Sequence, residues 1–478
     1  MKFNARYLFF GLLFILALLV RLYKIDNSMT EWFSWRQTDT MAVGKFFVKD
    51  GIDLLHPRYY DLSNIQSGLD NPQGYRMVEF PVYNALFATL YTTFGTFSLE
   101  VWARLIAIVC SLLAMAVIVY ILDREYGLTE AFFGGLFFAL APFAVFYSRA
   151  TLPDMPSVSM ATIALFFFYL YKTRERKNLL YIVLGTAFFA LALLIKPVVV
   201  FYALIAVFFI WQKHKKVLPS LFWSGFFLML AALPVLVWRT YIKGFPEGIP
   251  ANSWLLTSVN TSAGLQSVFF RPAFFRWIFF ERLNNLILGG YLTFFFLMGI
   301  LVVNPKKSKF HLIFGAAALM YLLVFQGGNV QHEYYQTIII PAVSVLVGVG
   351  AGLYLKEKKA PLLILKLLFT ITIFVVSFLF SFYLVKDKYS ENQGQVLMAD
   401  VVRSLTKETD IIVTDSMGDT TLLYLADRKG YPAPYRELPL LKEQGARYFV
   451  TMNLEYKAKL VPQYKLVFEN DSFLIFAL

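Results

Sequence analysis

The tetrapeptide Lys213-His-Lys-Lys216 separates two long apolar runs, residues 198–212 and 218–238. A bilayer needs about 20 apolar residues for each helical crossing, and cytoplasmic loops carry an excess of lysine and arginine. The stretch therefore predicts two membrane-spanning helices joined by a short cytoplasmic loop. It fixes the orientation of the chain across the membrane at one point, and the sides of the other loops follow by counting spans from there.

The composition of the whole chain is typical of a membrane protein. Of its 478 residues, 58% are hydrophobic and 16% are charged, whereas soluble domains are about 45–50% apolar and about 25% charged. Basic cytoplasmic loops explain the net charge of +13, so we predict no nucleic-acid partner. The single cysteine, Cys110, excludes an intrachain disulfide and a cysteine-based metal site.

Eleven apolar runs approach the length of a spanning helix. They lie at about 7–25, 101–122, 131–147, 157–172, 178–195, 198–212, 218–238, 286–303, 310–326, 335–355 and 361–385. The first run is followed by Arg21-Leu-Tyr-Lys24 and by no small-residue cleavage site, which predicts an uncleaved signal anchor.

Three further basic loops determine the topology: Lys172-Thr-Arg-Glu-Arg-Lys177, Lys306-Lys-Ser-Lys309 and Lys356-Glu-Lys-Lys359. Two runs separate each neighbouring pair of the four basic loops, so all four are predicted to be cytoplasmic. Counting back places the N-terminus in the cytoplasm and residues 26–100 outside, provided that the apolar stretch Phe80–Phe97 does not cross. We therefore predict an interfacial helix at that stretch, eleven spans and an external C-terminus.

The long loops all fall on the predicted external side. The segment 239–285 contains Phe269–Arg282, whose aromatic and basic residues recur at helical spacing and predict a second interfacial helix. The predicted fold class is a polytopic α-helical membrane domain, residues 1–385, that includes the first external loop at 26–100. A small external α/β domain follows at residues 386–478.

The tail has the short elements of an α/β domain. Strands are predicted at Asp410–Asp415, at Ala446–Thr451 and as a pair within Tyr464–Leu478, and helices at Val401–Leu405 and Thr420–Leu425. Asp415-Ser-Met-Gly-Asp419 predicts a turn and a helix start.

Asp39 lies in Trp32-Phe-Ser-Trp-Arg-Gln-Thr-Asp-Thr40, a polar stretch after the first apolar run. It is either the N-cap of an amphipathic helix, a position that favours Asp, or a carboxylate that takes a proton from an acceptor hydroxyl. The flanking Arg36, Trp32 and Trp35 suit a substrate site or, for the tryptophans, anchoring at the interface.

Two other predicted external segments carry candidate residues. Glu79-Phe-Pro-Val-Tyr83 introduces the first interfacial helix, and Glu79 is either an acid favoured by the helix dipole or part of the same site as Asp39. Arg149 and Asp154 are either a structural ion pair or, respectively, a phosphate-binding cation and a second site carboxylate.

Lys196 and the segment His332-Glu-Tyr-Tyr-Gln336 lie at predicted outer ends of spans. Lys196 either snorkels to the interface or neutralises a lipid-linked phosphate. An interfacial aromatic belt accounts for Tyr334 and Tyr335. A zinc site on His332 and Glu333 is disfavoured because adjacent side chains on a helix diverge.

These motifs together resemble the GT-C glycosyltransferases, in particular the bacterial branch related to protein O-mannosyltransferases and the lipid A aminoarabinose transferase. The resemblance covers essentially the whole chain. It is carried in order by Trp35-Arg-Gln-Thr-Asp39, Glu79-Phe-Pro-Val-Tyr83, Ser148-Arg-x-x-x-Pro-Asp154, Leu194-Ile-Lys-Pro197 and His332-Glu-Tyr-Tyr-Gln336.

The resemblance implies a sugar donor carried on a polyprenyl phosphate and a glycan, lipid or protein acceptor on the external face. Asp39 matches the catalytic aspartate of the family, and Asp154 its second acidic position. Candidates for binding the donor phosphate are the cations Arg149, Lys196, Arg36 and Arg271, and candidates for substrate binding are Glu79, Tyr83, His332, Glu333, Tyr334 and Tyr335. Family members with Asp-Glu at the first site differ from this chain, in which Thr40 follows Asp39, so we predict no metal cofactor without excluding a divalent ion.

A lipid or polysaccharide transporter or flippase is the alternative from another functional class, and an inactive relative with a structural role in envelope assembly is a third. A transporter should place its polar residues near the middle of the membrane, whereas here they collect at one predicted face. We therefore predict a multi-pass enzyme of the cell membrane.

Overall fold

The structure, a computed structural model, describes residues 5–174, 179–301, 308–356 and 359–478. Three of the predicted cytoplasmic loops, at 172–177, 306–309 and 356–359, lie partly outside these ranges. The helices are α1 Ala5–Arg21, α2 Ser34–Asp50, α3 Val82–Phe94, α4 Leu99–Glu125, α5 Leu128–Leu140, α6 Pro142–Tyr147, α7 Asp154–Thr173, α8 Leu179–Ile195, α9 Ala203–His214, α10 Val217–Tyr241, α11 Trp254–Thr257, α12 Pro272–Phe275, α13 Thr293–Leu301, α14 Phe310–Val324, α15 Gln326–Gln331, α16 Ile340–Tyr354, α17 Ala360–Val385, α18 Gln393–Leu405, α19 Thr421–Ala426, α20 Leu438–Glu443 and α21 Tyr456–Leu460.

Strands and other helical turns complete the secondary structure. The strands are β1 Ser258–Thr261, β2 Gly264–Ser267, β3 Ile411–Thr414, β4 Gly430–Tyr431, β5 Ala446–Thr451, β6 Lys465–Glu469 and β7 Leu474–Ala477. Turns of 3-10 helix lie at Pro197–Tyr202, Ile242–Gly244, Pro246–Gly248, Glu333–Ile339 and Lys386–Tyr389, and a π-helix at Arg276–Ile287.

Long apolar helices identify a multi-pass membrane protein. Within the described ranges, six helical segments are long and apolar enough to cross a membrane: Leu99–Glu125, Asp154–Thr173, Pro197–His214, Val217–Gly244, Glu333–Tyr354 and Ala360–Leu405. Shorter apolar helices lie at Phe9–Arg21, Leu128–Leu140, Leu179–Ile195 and Phe310–Val324. Each of these ten segments overlaps a predicted run, although Ala360–Leu405 extends beyond the run at 361–385. The count of eleven spans and their orientation stay predictions.

The chain divides into two compact units. The first comprises Met1–Ile25, Arg104–Trp238 and Asn252–Asp387, and the second Asp26–Ala103, Arg239–Ala251 and Lys388–Leu478. We call them the helical unit and the mixed unit. The predicted boundary at 385/386 falls close to the start of the last segment, and the mixed unit also takes in the first long loop.

Glycines allow helices of the helical unit to approach closely around α16. A Cβ added to Gly348 would lie 2.5 Å from the carbonyl oxygen of Glu130, and one added to Gly350 would lie 1.9 Å from that of Phe295. Small residues let apolar helices pack backbone to backbone where lipid offers no hydrophobic driving force. Gly348 and Gly350 therefore hold α16 against α5 on one side and α13 on the other.

The predicted span at 131–147 is broken into α5 and α6 because Pro142 has no backbone N–H to continue the helical ladder. The buried guanidinium of Arg21 supplies replacements: its Nη2 donates to the carbonyl of Phe138 and its Nη1 to that of Ala139, both at 2.8 Å. Its Nε also donates to Ser148 Oγ at 2.7 Å. Arg21 thus donates hydrogen bonds to the carbonyl groups at the helix break. It also binds Ser148 at the end of α6, just before Arg149.

The prediction of one helix at 286–303 is wrong. Gly289 and Gly290 have φ values of +56° and +78°, which favour glycine and end the preceding π-helix before α13 begins. A Cβ on Gly289 would lie 1.9 Å from the carbonyl oxygen of Ser377. The helix predicted at 269–282 is present from Pro272 onward: α12 continues without a gap into the π-helix, which ends at Ile287.

The tail contains a five-stranded sheet in the mixed unit, in the order β4-β3-β5-β7-β6. β3 is parallel to β4 and β5, whereas β7 is antiparallel to β5 and β6. Val413, Phe449 and Phe476 form its buried core. The four predicted strands are present, and the predicted helix at 401–405 begins earlier, at Gln393.

The first long loop of the mixed unit is joined to this sheet by backbone hydrogen bonds. Leu62 N donates to Gly430 O at 2.9 Å, and Gly430 N donates to Tyr60 O at 3.0 Å. The predicted interfacial helix at 80–97 is α3, whose 13 residues extend about 20 Å. This length is less than the roughly 30 Å hydrocarbon core, which agrees with a helix that does not cross.

Candidate active site

Asp39 lies inside α2 and does not cap it. The helix begins five residues earlier at Ser34, after Phe33, whose φ of +59° places it in the left-handed region. The N-cap interpretation is therefore wrong: this left-handed residue sets the start of the helix, and Asp39 occupies its second turn. Its side chain is 1% exposed, so the carboxylate needs partners within the protein.

Two side chains distant in sequence bind the Asp39 carboxylate. Arg76 Nη2 lies 2.8 Å from Asp39 Oδ2, and the hydroxyl of Thr420 donates to Asp39 Oδ1 at 2.7 Å. The Arg76 guanidinium also lies over the ring of Tyr59, 5.1 Å from its centre. The carboxylate is thus compensated by one cation at Oδ2 and hydrogen-bonded at Oδ1, whereas Oδ2 accepts no hydrogen bond among the described residues.

More acidic groups surround this ion pair. Asp61 is fully buried; burial raises its pKa to about 6, and the charge of Asp39 adds to the increase. Burial also raises the pKa of Asp419, with a further contribution from Asp39. Asp61 Oδ1 accepts the backbone N–H of Ser63 at 2.7 Å. The surroundings of Asp39 are therefore rich in carboxyl groups.

The structure brings Arg36 and Glu79 together. Arg36 Nη2 lies 2.5 Å from Glu79 Oε1, and Arg36 Nη1 donates to the Thr40 hydroxyl at 3.1 Å. Tyr83 is buried, and its hydroxyl donates to the carbonyl of Ala103 at 2.8 Å, a contact that positions α3.

The second group of candidates lies in the helical unit. Asp154 is the first residue of α7, and its Oδ2 lies 2.7 Å from Lys196 Nζ. Both side chains are buried, so the interpretation of Lys196 as a snorkelling residue is wrong. Its ammonium also lies over the rings of Tyr335, at 4.6 Å, and Tyr334, at 5.3 Å.

The tyrosines form part of this group rather than an interfacial belt, because both are buried. Glu333 is also buried; it accepts a hydrogen bond from the Tyr147 hydroxyl and forms an ion pair with Arg282. The ring of His332 stacks on Tyr334 with 5.3 Å between centres. The rings and charges of this segment are thus directed into the helical unit.

Arg149 is fully buried and donates from Nη1 to the carbonyl of Lys24 at 2.9 Å. Arg271, in contrast, is exposed in the segment before α12. Among the residues that the structure describes, no three His, Cys, Asp or Glu side chains are grouped to hold a metal ion. Independence of a metal stays a prediction.

Three partners were missed by sequence reasoning: Arg76, Arg282 and Thr420. Arg76 precedes the Glu79 motif by three residues, Arg282 ends the aromatic and basic segment, and Thr420 follows the predicted Asp415–Asp419 turn. Each lies beside a feature that the sequence did identify. Their pairing with Asp39 and Glu333 depends on tertiary contacts, which cannot be inferred from a local sequence pattern.

Comparison with known proteins finds one family model that matches part of the chain. The model of the dolichyl-phosphate-mannose-protein mannosyltransferase family matches residues 79–238. No curated protein sequence matches the chain.

Solved structures of similar fold extend over the whole chain. ArnT from Cupriavidus metallidurans bound to undecaprenyl phosphate matches with a TM-score of 0.63 at 14% identity, covering 100% of this chain and 98% of that one. The archaeal oligosaccharyltransferase AglB from Archaeoglobus fulgidus matches with a TM-score of 0.59 at 13% identity, over 95% and 70% of the two chains. The mycobacterial arabinofuranosyltransferase AftD matches with a TM-score of 0.60 at 12% identity, over 100% and 42%.

The chain therefore has the fold of the GT-C membrane glycosyltransferases, and the resemblance predicted from its motifs is confirmed.

Replacing Asp61 should change how stability depends on pH. Because its pKa is raised to about 6 in the folded protein, folded Asp61 retains a proton between pH 4 and 6 that the unfolded chain has released. Stability therefore falls as the pH rises through this range, by roughly 2–3 kcal/mol in total. We expect Asp61→Asn to unfold at a higher temperature than the unaltered protein at pH 7.5, and the difference should be much smaller at pH 4.5.

The exposed Asp53 provides the control for this comparison. Its hydrogen bond with His56 lowers the pKa of Asp53, so Asp53→Asn should give no stabilisation at pH 7.5. An equal effect of Asp61→Asn at both pH values would contradict the burial of an ionisable carboxyl group at this position.

Proposed function

We propose that this protein is an integral-membrane inverting glycosyltransferase that moves a sugar from a polyprenyl phosphate to an acceptor hydroxyl on the external face. The observation that carries the proposal is the buried Asp39 carboxylate, bound by Arg76 and Thr420 in a protein with the GT-C fold. A buried and oriented carboxylate is suited to accept a proton in a transition state. The similar ArnT was solved with undecaprenyl phosphate, which supports a lipid-phosphate donor here.

In the proposed reaction Asp39 is the general base. As the acceptor oxygen attacks the anomeric carbon, its proton passes to the carboxylate of Asp39. The new bond joins the anomeric carbon to the acceptor oxygen, and the bond from that carbon to the phosphate oxygen breaks. The polyprenyl phosphate leaves with the electron pair, so the configuration at the anomeric carbon is inverted.

The leaving phosphate gains negative charge, which preorganised cations stabilise. Lys196 is our first candidate because it is buried and held by Asp154, Tyr334 and Tyr335. Arg149 is the second, since a guanidinium matches the geometry of phosphate oxygens. Arg36 is engaged with Glu79 and Arg271 is exposed, so we rank both lower.

Asp154 is proposed to act through Lys196. Its carboxylate holds the Lys196 ammonium in place at 2.7 Å, and this ammonium is the group proposed to attract the phosphate. Glu333, Tyr334, Tyr335 and His332 are proposed to shape the donor site around that charge.

Asp39→Asn should reduce sugar transfer at least about a hundredfold because it removes the proton acceptor while preserving side-chain shape. The measurement is release of polyprenyl phosphate by purified protein in proteoliposomes, with a panel of polyprenyl-phosphate sugars and membrane extract as acceptor. Asp400→Asn, which alters a surface pair with Arg403, is the matched control and should retain activity. Full activity of a folded Asp39→Asn protein would refute the proposal.

Lys196→Met should weaken binding of undecaprenyl phosphate about tenfold or more, since a charge-assisted contact is lost. The single variant also removes the buried partner of Asp154 and should be destabilised. Asp154→Asn combined with Lys196→Met should recover stability without recovering binding. Binding is measured as the rise in unfolding temperature with added lipid phosphate, and a double variant that binds as well as the unaltered protein would remove Lys196 from the donor site.

The proposed topology places residues 26–100 outside and Lys213-His-Lys-Lys216 in the cytoplasm. In a Cys110→Ser background, an impermeant maleimide should label Leu69→Cys from the external side of sealed spheroplasts. Lys216→Cys should be labelled only after the membrane is permeabilised. The reverse pattern would overturn the orientation and the assignment of an external active site.

A further inference from the structure

A residue of the C-terminal tail hydrogen-bonds to the Asp39 carboxylate. The Thr420 hydroxyl lies 2.7 Å from Asp39 Oδ1, across 381 residues of sequence, and the two side chains are 3% and 1% exposed. An ionised carboxylate only accepts hydrogen bonds, so Thr420 must be the donor. The Thr38 hydroxyl is 3.4 Å from that of Thr420 and is engaged with carbonyls of its own helix, which leaves the Thr420 proton directed to Asp39.

The loop before Thr420 is held in an unusual conformation. Met417 has a φ of +47° and is 94% exposed, although a side chain at positive φ is strained. The backbone N–H groups of Ser416 and Gly418 both donate to the carbonyl of Pro432, at 3.2 and 3.0 Å. These bonds fix the loop at the end of β3 and so determine where Thr420 lies.

The start of α19 adds a second restraint. Asp419 Oδ1 accepts the backbone N–H of Thr421 at 2.7 Å, which anchors the first turn of the helix immediately after Thr420. Further along α19, the Tyr424 hydroxyl donates to Glu100 Oε1 at 2.6 Å. Thr420 is thus presented by a fixed loop and an anchored helix rather than by a freely moving chain.

We propose that Thr420 is a positioning residue through which the tail domain sets the orientation of Asp39. The inference rests on the function proposed above, in which Asp39 accepts the proton of the acceptor. Arg76 pairs with Oδ2 by charge, although Oδ2 accepts no hydrogen bond among the described residues. The hydrogen bond from Thr420 to Oδ1 is therefore the directional contact that orients the carboxylate before the substrate arrives. Without the Thr420 hydroxyl the carboxylate keeps Arg76 as its neighbour but loses the hydrogen bond that orients it.

The test compares Thr420→Val with Thr420→Ser. Valine keeps the branched shape and removes the donor, and we expect kcat to fall about tenfold to a hundredfold. KM for the polyprenyl-phosphate sugar should stay within about twofold because Thr420 is not assigned to donor binding. Serine restores the hydroxyl and should return kcat to within about threefold of the unaltered protein.

Thr414→Val is the matched control. Thr414 lies in the same domain at the end of β3, is fully buried, and has no hydrogen-bond partner for its hydroxyl among the described residues. The same substitution there should leave kcat unchanged. If Thr420→Val does not fold, Thr420→Ala is measured instead, with kcat normalised to the folded fraction.

The outcomes distinguish this inference from the proposed function. Unchanged kcat in Thr420→Val, or a loss that Thr420→Ser does not restore, together with an inactive Asp39→Asn, would overturn the positioning role alone. An active Asp39→Asn would overturn the function on which it rests. A selective loss of kcat that serine reverses supports the assignment.

Discussion

Compensation of buried charge is the constraint on which both groups of candidate residues depend. Taking a carboxylate or an ammonium out of water costs several kcal/mol unless a partner of opposite charge and hydrogen bonds replace the solvent. Asp39 meets this requirement with Arg76 and Thr420, and Asp154 meets it with Lys196. The same contacts that make burial tolerable also fix the direction in which each charged group points.

This constraint explains why the polar residues form groups from separate segments. Arg76 comes from the first long loop and Thr420 from the tail, and both bind a carboxylate in α2. In the helical unit, Arg282 follows α12 and pairs with Glu333 in the turn before α16. Each buried charge is paired with a residue from a different part of the chain. Replacing one segment would therefore leave a charge in another without its partner.

Much of the secondary structure could be predicted from the sequence because length and hydrophobicity decide it locally. The apolar runs became helices, and the Ala446–Thr451 strand was predicted with its observed bounds. Two breaks inside the runs were missed. Pro142 interrupts one helix, and at Gly289 another is interrupted where the carbonyl of Ser377 leaves no space for a side chain. A hydrophobic window does not detect such breaks: the first depends on a single proline inside an apolar run, and the second on the close approach of a backbone carbonyl from a neighbouring helix.

The sequence predicted individual residues of the candidate site, but it did not predict which of them pair with one another. Motif order identified Asp39, Asp154 and Lys196, whereas the N-cap interpretation of Asp39 failed because the helix begins at Ser34. Arg36 and Glu79 were treated as separate candidates, yet they form one ion pair. Pairings of this kind follow from the way segments meet in space, and a single sequence carries no direct record of that.

The contact between Thr420 and Asp39 also has a consequence for biosynthesis. At the usual 5–20 residues per second of translation, the 381 residues between them correspond to roughly 20–80 s on the ribosome. During that interval the nascent chain holds Asp39 and Arg76 but neither the threonine nor strand β4, which hydrogen-bonds to Tyr60 and Leu62. The mixed unit therefore reaches its final geometry only after translation has passed α17, which delays maturation of the site until the tail has been synthesised.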